Sequence, residues 1–270
     1  MARSVCASTG GKSPELKEKS KPILTELSQL QWVLLGLIFV WSGFVRTGIG
    51  FGGGALALPL MLFILPNPII LLPIIAWHFI FFSILTLFTH KGGVDWRYLF
   101  YSQMFIAIPA LLGIFGLINL SPKILTIIVY LITLTYGISY LFMFKLAAGN
   151  KISDALLLIL GGYVSGTSMT GAPVLAAVYS RNVALEKLRN TLFMSFLMIV
   201  FVKMMTFKLS GVDMQVHYAL MLLPIAALGH FVGHYVHDWI VKNDADLFMR
   251  CIGLALTIIT LLGLYRILML

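Results

Sequence analysis

An apolar segment long enough to cross a membrane is broken by its own residues. Residues 31–65 are apolar apart from a run that opens at Ser42 and Gly43, carries Arg46, Gly48, Gly50, Gly52, Gly53 and Gly54, and continues to Pro59. A helix needs about 20 residues to span a bilayer, so this segment is too long for one straight crossing. Glycine is a poor helix former, and lipid offers no water to satisfy backbone groups freed from a helix. The glycines between 48 and 54 therefore mark a place where the chain leaves helical geometry against protein or a ligand. Arg46 adds a charge 14 residues in from Trp32, roughly 20 Å at helical rise. Interrupted helices beside a buried charge are the usual form of a binding site at membrane depth.

Composition sets the class. The chain is 60% hydrophobic and 11% charged, with a mean hydropathy of +0.98. A soluble protein of 270 residues would have too little polar surface. Long apolar runs recur as far as Leu270, so the expected fold class is all-α, a polytopic transmembrane helical bundle. No short alternating segments suggest a β-barrel. The net charge of +9 reads as membrane orientation, and no basic cluster interleaved with aromatics points to nucleic acid. Cys6 and Cys251 lie at opposite ends of the chain and suggest neither a disulfide framework nor a metal site. Residues 1–29 form a polar tail, expected to be cytoplasmic, with no signal-peptide pattern. Residues 30–270 make one membrane domain. No intramembrane carboxylate pair, nucleophile elbow, His-Glu zinc motif or cofactor motif is visible, so the chain reads as a non-enzyme without a cofactor.

About eight segments are expected, in two repeats at about 31–145 and 154–270, each opening with an interrupted helix. The first interrupted segment has parts at 32–45 and 55–65. Helices then follow at about 69–89, 98–118 and 123–144. The second interrupted segment, 154–179, is broken by Ser165, Gly166, Thr167, Ser168, Met169, Thr170, Gly171, Ala172 and Pro173. Polar residues 181–190 lead to helices at about 191–208, 216–236 and 247–268. A gapless match links the halves: Gly43-Phe44-Val45 lies against Gly162-Tyr163-Val164, Arg46 against Ser165, and Gly52 against Gly171. Interruptions at matching positions of two halves are the best sequence pointer to a transporter site. With eight full crossings and the N-terminus inside, most Lys and Arg fall on the cytoplasmic side, but the loop holding Arg181, Lys187 and Arg189 disagrees. If each interrupted segment instead dips in and returns, the halves are inverted.

Several residues are candidates for chemistry. Arg46 has no Asp or Glu in any helix interior to pair with, so it faces a ligand, a far interface, or backbone and water. Gly48, Gly50, Gly52, Gly53 and Gly54 would let backbone N–H groups approach an anion at a helix start; close helix packing is the competing use. Ser165, Thr167, Ser168 and Thr170, with Gly171, would offer neutral donors to oxyanion oxygens, or merely satisfy broken backbone. His78 is either a proton or ion-coupling group or a satisfied core histidine. Asn190 is either a helix cap or a site edge. Lys203 is expected to snorkel from a helix end. His230, His234 and His237 share one helical face and define an alternative, a divalent-metal transporter. A second alternative is a non-transporting membrane component.

These residues bring a family into view. Gly48-Ile49-Gly50-Phe51-Gly52-Gly53-Gly54, followed by Pro59-Leu60, resembles the first-repeat motif of the sulfite exporter TauE/SafE family of membrane permeases. Ser165-Gly166 through Gly171-Ala172-Pro173, with Leu188-Arg189-Asn190-Thr191-Leu192, looks like its second-repeat motif. Gly93-Val94-Asp95-Trp96 matches the family's polar loop after the second helix. The chain departs from the pattern at Thr167-Ser168-Met169-Thr170, where the family often has further glycines. The resemblance implies a secondary transporter in a bacterial inner membrane. Its substrates would be small sulfur-containing or other anions such as sulfite, sulfonates or sulfoacetate, with a proton or cation as a possible coupling partner.

Overall fold

In a computed structural model the described residues are 22–49, 53–89, 92–143, 149–242 and 245–269. After a single helical turn at Pro22–Thr25, ten helices follow: α1 Gln29–Ile49, α2 Gly53–Ile64, α3 Pro68–Thr89, α4 Trp96–Asn119, α5 Pro122–Leu141, α6 Lys151–Ser168, α7 Ala172–Asn182, α8 Leu185–Leu209, α9 Val216–Lys242 and α10 Ala245–Met269. Local chemistry sets several starts. The side chains of Asp95, Ser121 and Asn150 accept from the N–H of Tyr98, Ile124 and Ser153, capping α4, α5 and α6. Seven helices, α1, α3, α4, α5, α8, α9 and α10, are long and apolar enough to cross a membrane. The protein is a multi-pass membrane protein.

Close contacts fix the helix directions. Gly43 in α1 lies against Ala226 and His230 of α9, and Gly233 lies against Phe44 and Thr47, so α1 and α9 run parallel. Gly162 and Gly166 in α6 lie against Ile106 and Ala110 of α4, a second parallel pair. In α5 and α10, Gly263 meets Tyr130 while Gly137 meets Thr257, so that pair is antiparallel. Small residues bring such backbones together where water supplies no driving force.

Helix ends gather on two faces. At one, Thr126 Oγ1 at the start of α5 donates to Pro66 O after α2, 3.4 Å, and Arg266 Nη1 near the end of α10 donates to Phe63 O, 2.7 Å. Trp32 of α1 stacks on Tyr218 at the start of α9, centroids 5.5 Å apart, on this same face. At the other, Asp95 N–H before α4 donates to Thr191 Oγ1 in α8, 3.0 Å, and Ser102 in α4 bonds Tyr179 in α7, 2.5 Å. Six helices therefore run from face to face. The other four form two hairpins. A Cβ on Gly53 would lie 2.5 Å from Ser42 O and 2.9 Å from the Arg46 Cβ, so α2 turns back along α1 to the first face. A Cβ on Gly171 would strike Ser165 and Gly161, so α7 turns back along α6 to the opposite one.

The two halves are inverted relative to each other. Ile49 and Ser168 end the first arms and Gly53 and Ala172 start the second arms, each pair 119 residues apart. Packing is mirrored as well: α1 lies on α9 and α6 on α4, while α3 pairs with α8 and α5 with α10. With two re-entrant hairpins, the eight-crossing topology gives way to six crossings among the described residues.

The interruptions are narrower than the sequence suggests. Helix α1 continues through Arg46 to Ile49, and α6 continues through Ser165 to Ser168. Helix α8 begins at Leu185, so residues 185–190 are helical and Asn190 is not a cap.

Candidate functional site

The first hairpin holds Arg46 deep in the bundle. The side chain is 3% exposed. Its Nη1 donates to His78 O at 3.3 Å. Its guanidinium carbon lies 5.1 Å from the Phe82 ring centroid and 5.9 Å from that of Phe79, within reach of the ring quadrupole. Its buried Nε has no hydrogen-bond partner. The sole ion pair among the described residues joins Arg181 to Asp154, 2.8 Å, and does not involve Arg46. Arg46 thus carries a permanent charge in a place where the described residues offer it no carboxylate. A buried charge normally needs a partner.

Around Arg46 stand Phe79 and Phe82, which sequence reasoning missed, and His230, which it weighed only as a metal ligand. Phe82 has Arg46 on one side and His230 stacked on it, centroids 5.0 Å apart. His230 Nδ1 lies 2.6 Å from Thr47 Oγ1. The aromatic run after His78 carried the signal, because Phe79 follows it directly and Phe82 one turn later on its helix. His78 itself is 1% exposed. Its Nδ1 donates to Ile74 O, 2.8 Å, and its buried Nε2 has no partner. Among the described residues no group of three His, Cys, Asp or Glu could hold a metal. The side chains of His234 and His237 lie outside the described residues.

The second hairpin is built differently. Ser165, Thr167, Ser168 and Thr170 are all buried. Ser165 donates to Gly161 O, 2.6 Å, and Ser168 to Val164 O, 3.1 Å. Thr167 donates back to Tyr163 O or Val164 O, 3.1 Å each, and Thr170 lies 2.6 Å from Ser168 Oγ. In this conformation the hydroxyl protons serve the hairpin itself. Met169 then takes the left-handed conformation, φ 58°, and ends α6. It lies in the same buried cluster as Phe39, Ile74 and Met204, so this tip reaches the core.

The glycines divide by position. Gly48 lies in the last turn of α1; Gly50 and Gly52 fall outside the described residues. Gly53 packs on α1, Gly54 would place a Cβ 3.0 Å from Ile75, and Gly171 packs on α6. Asn190 is buried within α8 at 1% exposure.

Lys203 corrects the sequence reading. It does not snorkel: it is 0% exposed, and Nζ donates to Ser165 O at 3.1 Å. The physical reason is the second hairpin, which covers it.

Compared with known families, residues 35–263 match Sulfite exporter TauE/SafE. The chain belongs to this family. Membership in the sulfite exporter TauE/SafE family implies a membrane transporter of sulfur anions, and the match takes in both hairpins apart from the first turns of α1 and all six crossing helices apart from the C-terminal end of α10. Comparisons with curated proteins and with solved structures return no match.

Proposed function

We propose that this TauE/SafE protein is a secondary transporter that carries a small sulfur oxyanion, such as sulfite, a sulfonate or sulfoacetate, past Arg46. One observation carries this reading: a permanently charged guanidinium is buried beside a hairpin turn, and no described carboxylate neutralises it. An oxyanion supplies the missing charge and takes the Nε–H and the remaining guanidinium donors. Gly53 and Gly54 let backbone amides at the start of α2 approach the same anion. Inverted hairpins entering from opposite faces suit rocking of one half against the other. His78 is the group we assign to proton coupling, because its buried Nε2 lone pair lies on the helix that Arg46 contacts. The test is thermal stabilisation of the purified protein by sulfite, sulfate, thiosulfate, small sulfonates, carboxylates and divalent metals. A ligand present at 100 times its dissociation constant adds about 2.7 kcal/mol to the native state. Stabilisation by sulfur oxyanions is expected; stabilisation by divalent metals alone would contradict the reading.

We further propose that the protein sits in the inner membrane of a bacterium, with an orientation that the distribution of its cations supports. Within five residues of a helix end, the four connections on the opposite face hold nine Lys and Arg: 91, 97, 145, 151, 181, 187, 189, 242 and 250. The first face has three, Lys123, Lys208 and Arg266, besides the five of the tail. The loop of Arg181, Lys187 and Arg189 now agrees with its neighbours. Cations in short connections mark the cytoplasmic side, and their excess in the connections of the opposite face supports an orientation with both termini outside. A Cys251→Ala variant keeps Cys6 in the tail as its one cysteine. A membrane-impermeant maleimide should label it on intact cells, and labelling only after lysis would reverse the orientation.

A further inference from the structure

Lys203 has no place in the reading above, and its surroundings are unusual. Among the described residues its one hydrogen-bond partner is Ser165 O, which also accepts from Met169 N–H at 3.1 Å. An ammonium has three N–H donors, so two remain. The carboxylates are elsewhere. On α8, on the helices packed against it, α3, α4, α6 and α7 with their caps, and in the connection to α9, the described ones are Asp95, Asp154, Glu186 and Asp213, while the side chain of Asp238 lies outside the described residues. Asp95 caps α4, Asp154 pairs with Arg181, and Glu186 is 17 residues back on α8. Asp213 accepts from Gln215 N–H in the connection to α9. None of these four forms an ion pair with Lys203.

Its position is informative. Ser165 stands 119 residues after Arg46, the offset that relates the two hairpins. Each hairpin therefore has one basic group at the corresponding place: Arg46 is the first hairpin's own residue, whereas at Ser165 the Nζ is delivered by α8. The two lie at different depths. Helices α3 and α8 cross where Phe79 meets Phe193 and Phe196. Arg46 sits at that crossing, and Lys203 lies seven residues past Phe196, about 10 Å toward the first face at helical rise.

We propose that Lys203 is a second anion-binding residue, so that the pathway has two cationic stations, one on each hairpin. An oxyanion leaving Arg46 for the first face is next held by the free ammonium donors of Lys203. This rests on the anion reading of Arg46 and extends it to the second half of the molecule.

The test uses the full-length purified protein, at constant ionic strength, with sulfate and methanesulfonate as probes. Thermal midpoints are recorded against anion concentration for wild type, Lys203→Met, Lys203→Arg and Arg46→Gln. Methionine fills the space without a charge, and replacing a buried charge by an apolar group is often harmless to folding; the anion-free midpoint checks this. Lys203→Met should need about tenfold more anion for the same shift, while Lys203→Arg stays close to wild type. A Lys203→Met protein with the wild-type anion response would overturn the second station and leave the Arg46 site intact. A lost response in Lys203→Met beside an unchanged one in Arg46→Gln would do the reverse. A wild type that neither anion stabilises would overturn both.

Discussion

Replacing Arg46 with glutamine should weaken anion binding about 10- to 100-fold, the loss of one or two charge-assisted hydrogen bonds at about 1.5–3 kcal/mol. The anion-free protein should be as stable as wild type, or more so. That combination separates a ligand-binding arginine from a structural one. A structural arginine holds a partner that its removal strands. Here its one hydrogen bond among the described residues is a 3.3 Å contact with His78 O, and removing an uncompensated buried charge relieves a cost. Arg46→Lys should fall between the two, because an ammonium keeps the charge but lacks the planar fork. Titrating each variant with sulfite in a thermal-shift assay reads both quantities. A large drop in the anion-free midpoint of Arg46→Gln, with anion response retained, would assign Arg46 to structure.

The second large effect is expected at Gly229. Its Cβ would strike Val40 O, and would lie 2.7 Å from the Val40 carbonyl carbon and 2.9 Å from Phe44 N. Every obstacle is backbone of α1, so no side chain can swing aside. Gly229→Val must push α1 away from α9, and overpacking of this kind costs about 1–3 kcal/mol or more. Because α1 carries Arg46 and Thr47, and Thr47 meets His230 one residue further along α9, anion affinity should fall with stability. Gly116→Ala is the control. A Cβ there meets nothing within 4 Å, and alanine in a helix gains about 0.5–1 kcal/mol over glycine. Thermal midpoints of the two variants should move in opposite directions.

Much of the architecture was legible in the sequence, because its causes are local. Apolar run lengths gave the helices, and the match of Gly43-Phe44-Val45 to Gly162-Tyr163-Val164 gave the 119-residue offset. The sense of the halves was not legible. It depends on which way the chain turns after Ile49, and that is decided by Gly53 seating on Ser42 and Arg46, a contact between arms. The extent of the second break was misjudged for a related reason. Serine and threonine look like helix breakers in a polar run, but Ser165 and Ser168 bond the carbonyls four residues back and stay helical. Lys203 was misread because its burial is set by the second hairpin, a neighbour remote in sequence. One clue was available: Lys208, five residues later, already supplies the cation at the end of α8, leaving Lys203 too deep to share that role. Arg46 was placed correctly at depth, but its aromatic setting of Phe79 and Phe82 needed the packing of α1 on α3.

The central claim is that a sulfur oxyanion passes Arg46 between two inverted hairpins, and flux tests it most directly. Purified wild type and Arg46→Gln would be reconstituted into liposomes, and uptake of radiolabelled sulfite measured against an internal store of unlabelled sulfite. The account predicts label accumulation in wild-type vesicles and, in Arg46→Gln vesicles, a rate lower by about one to two orders of magnitude. Equal rates in the two would contradict it.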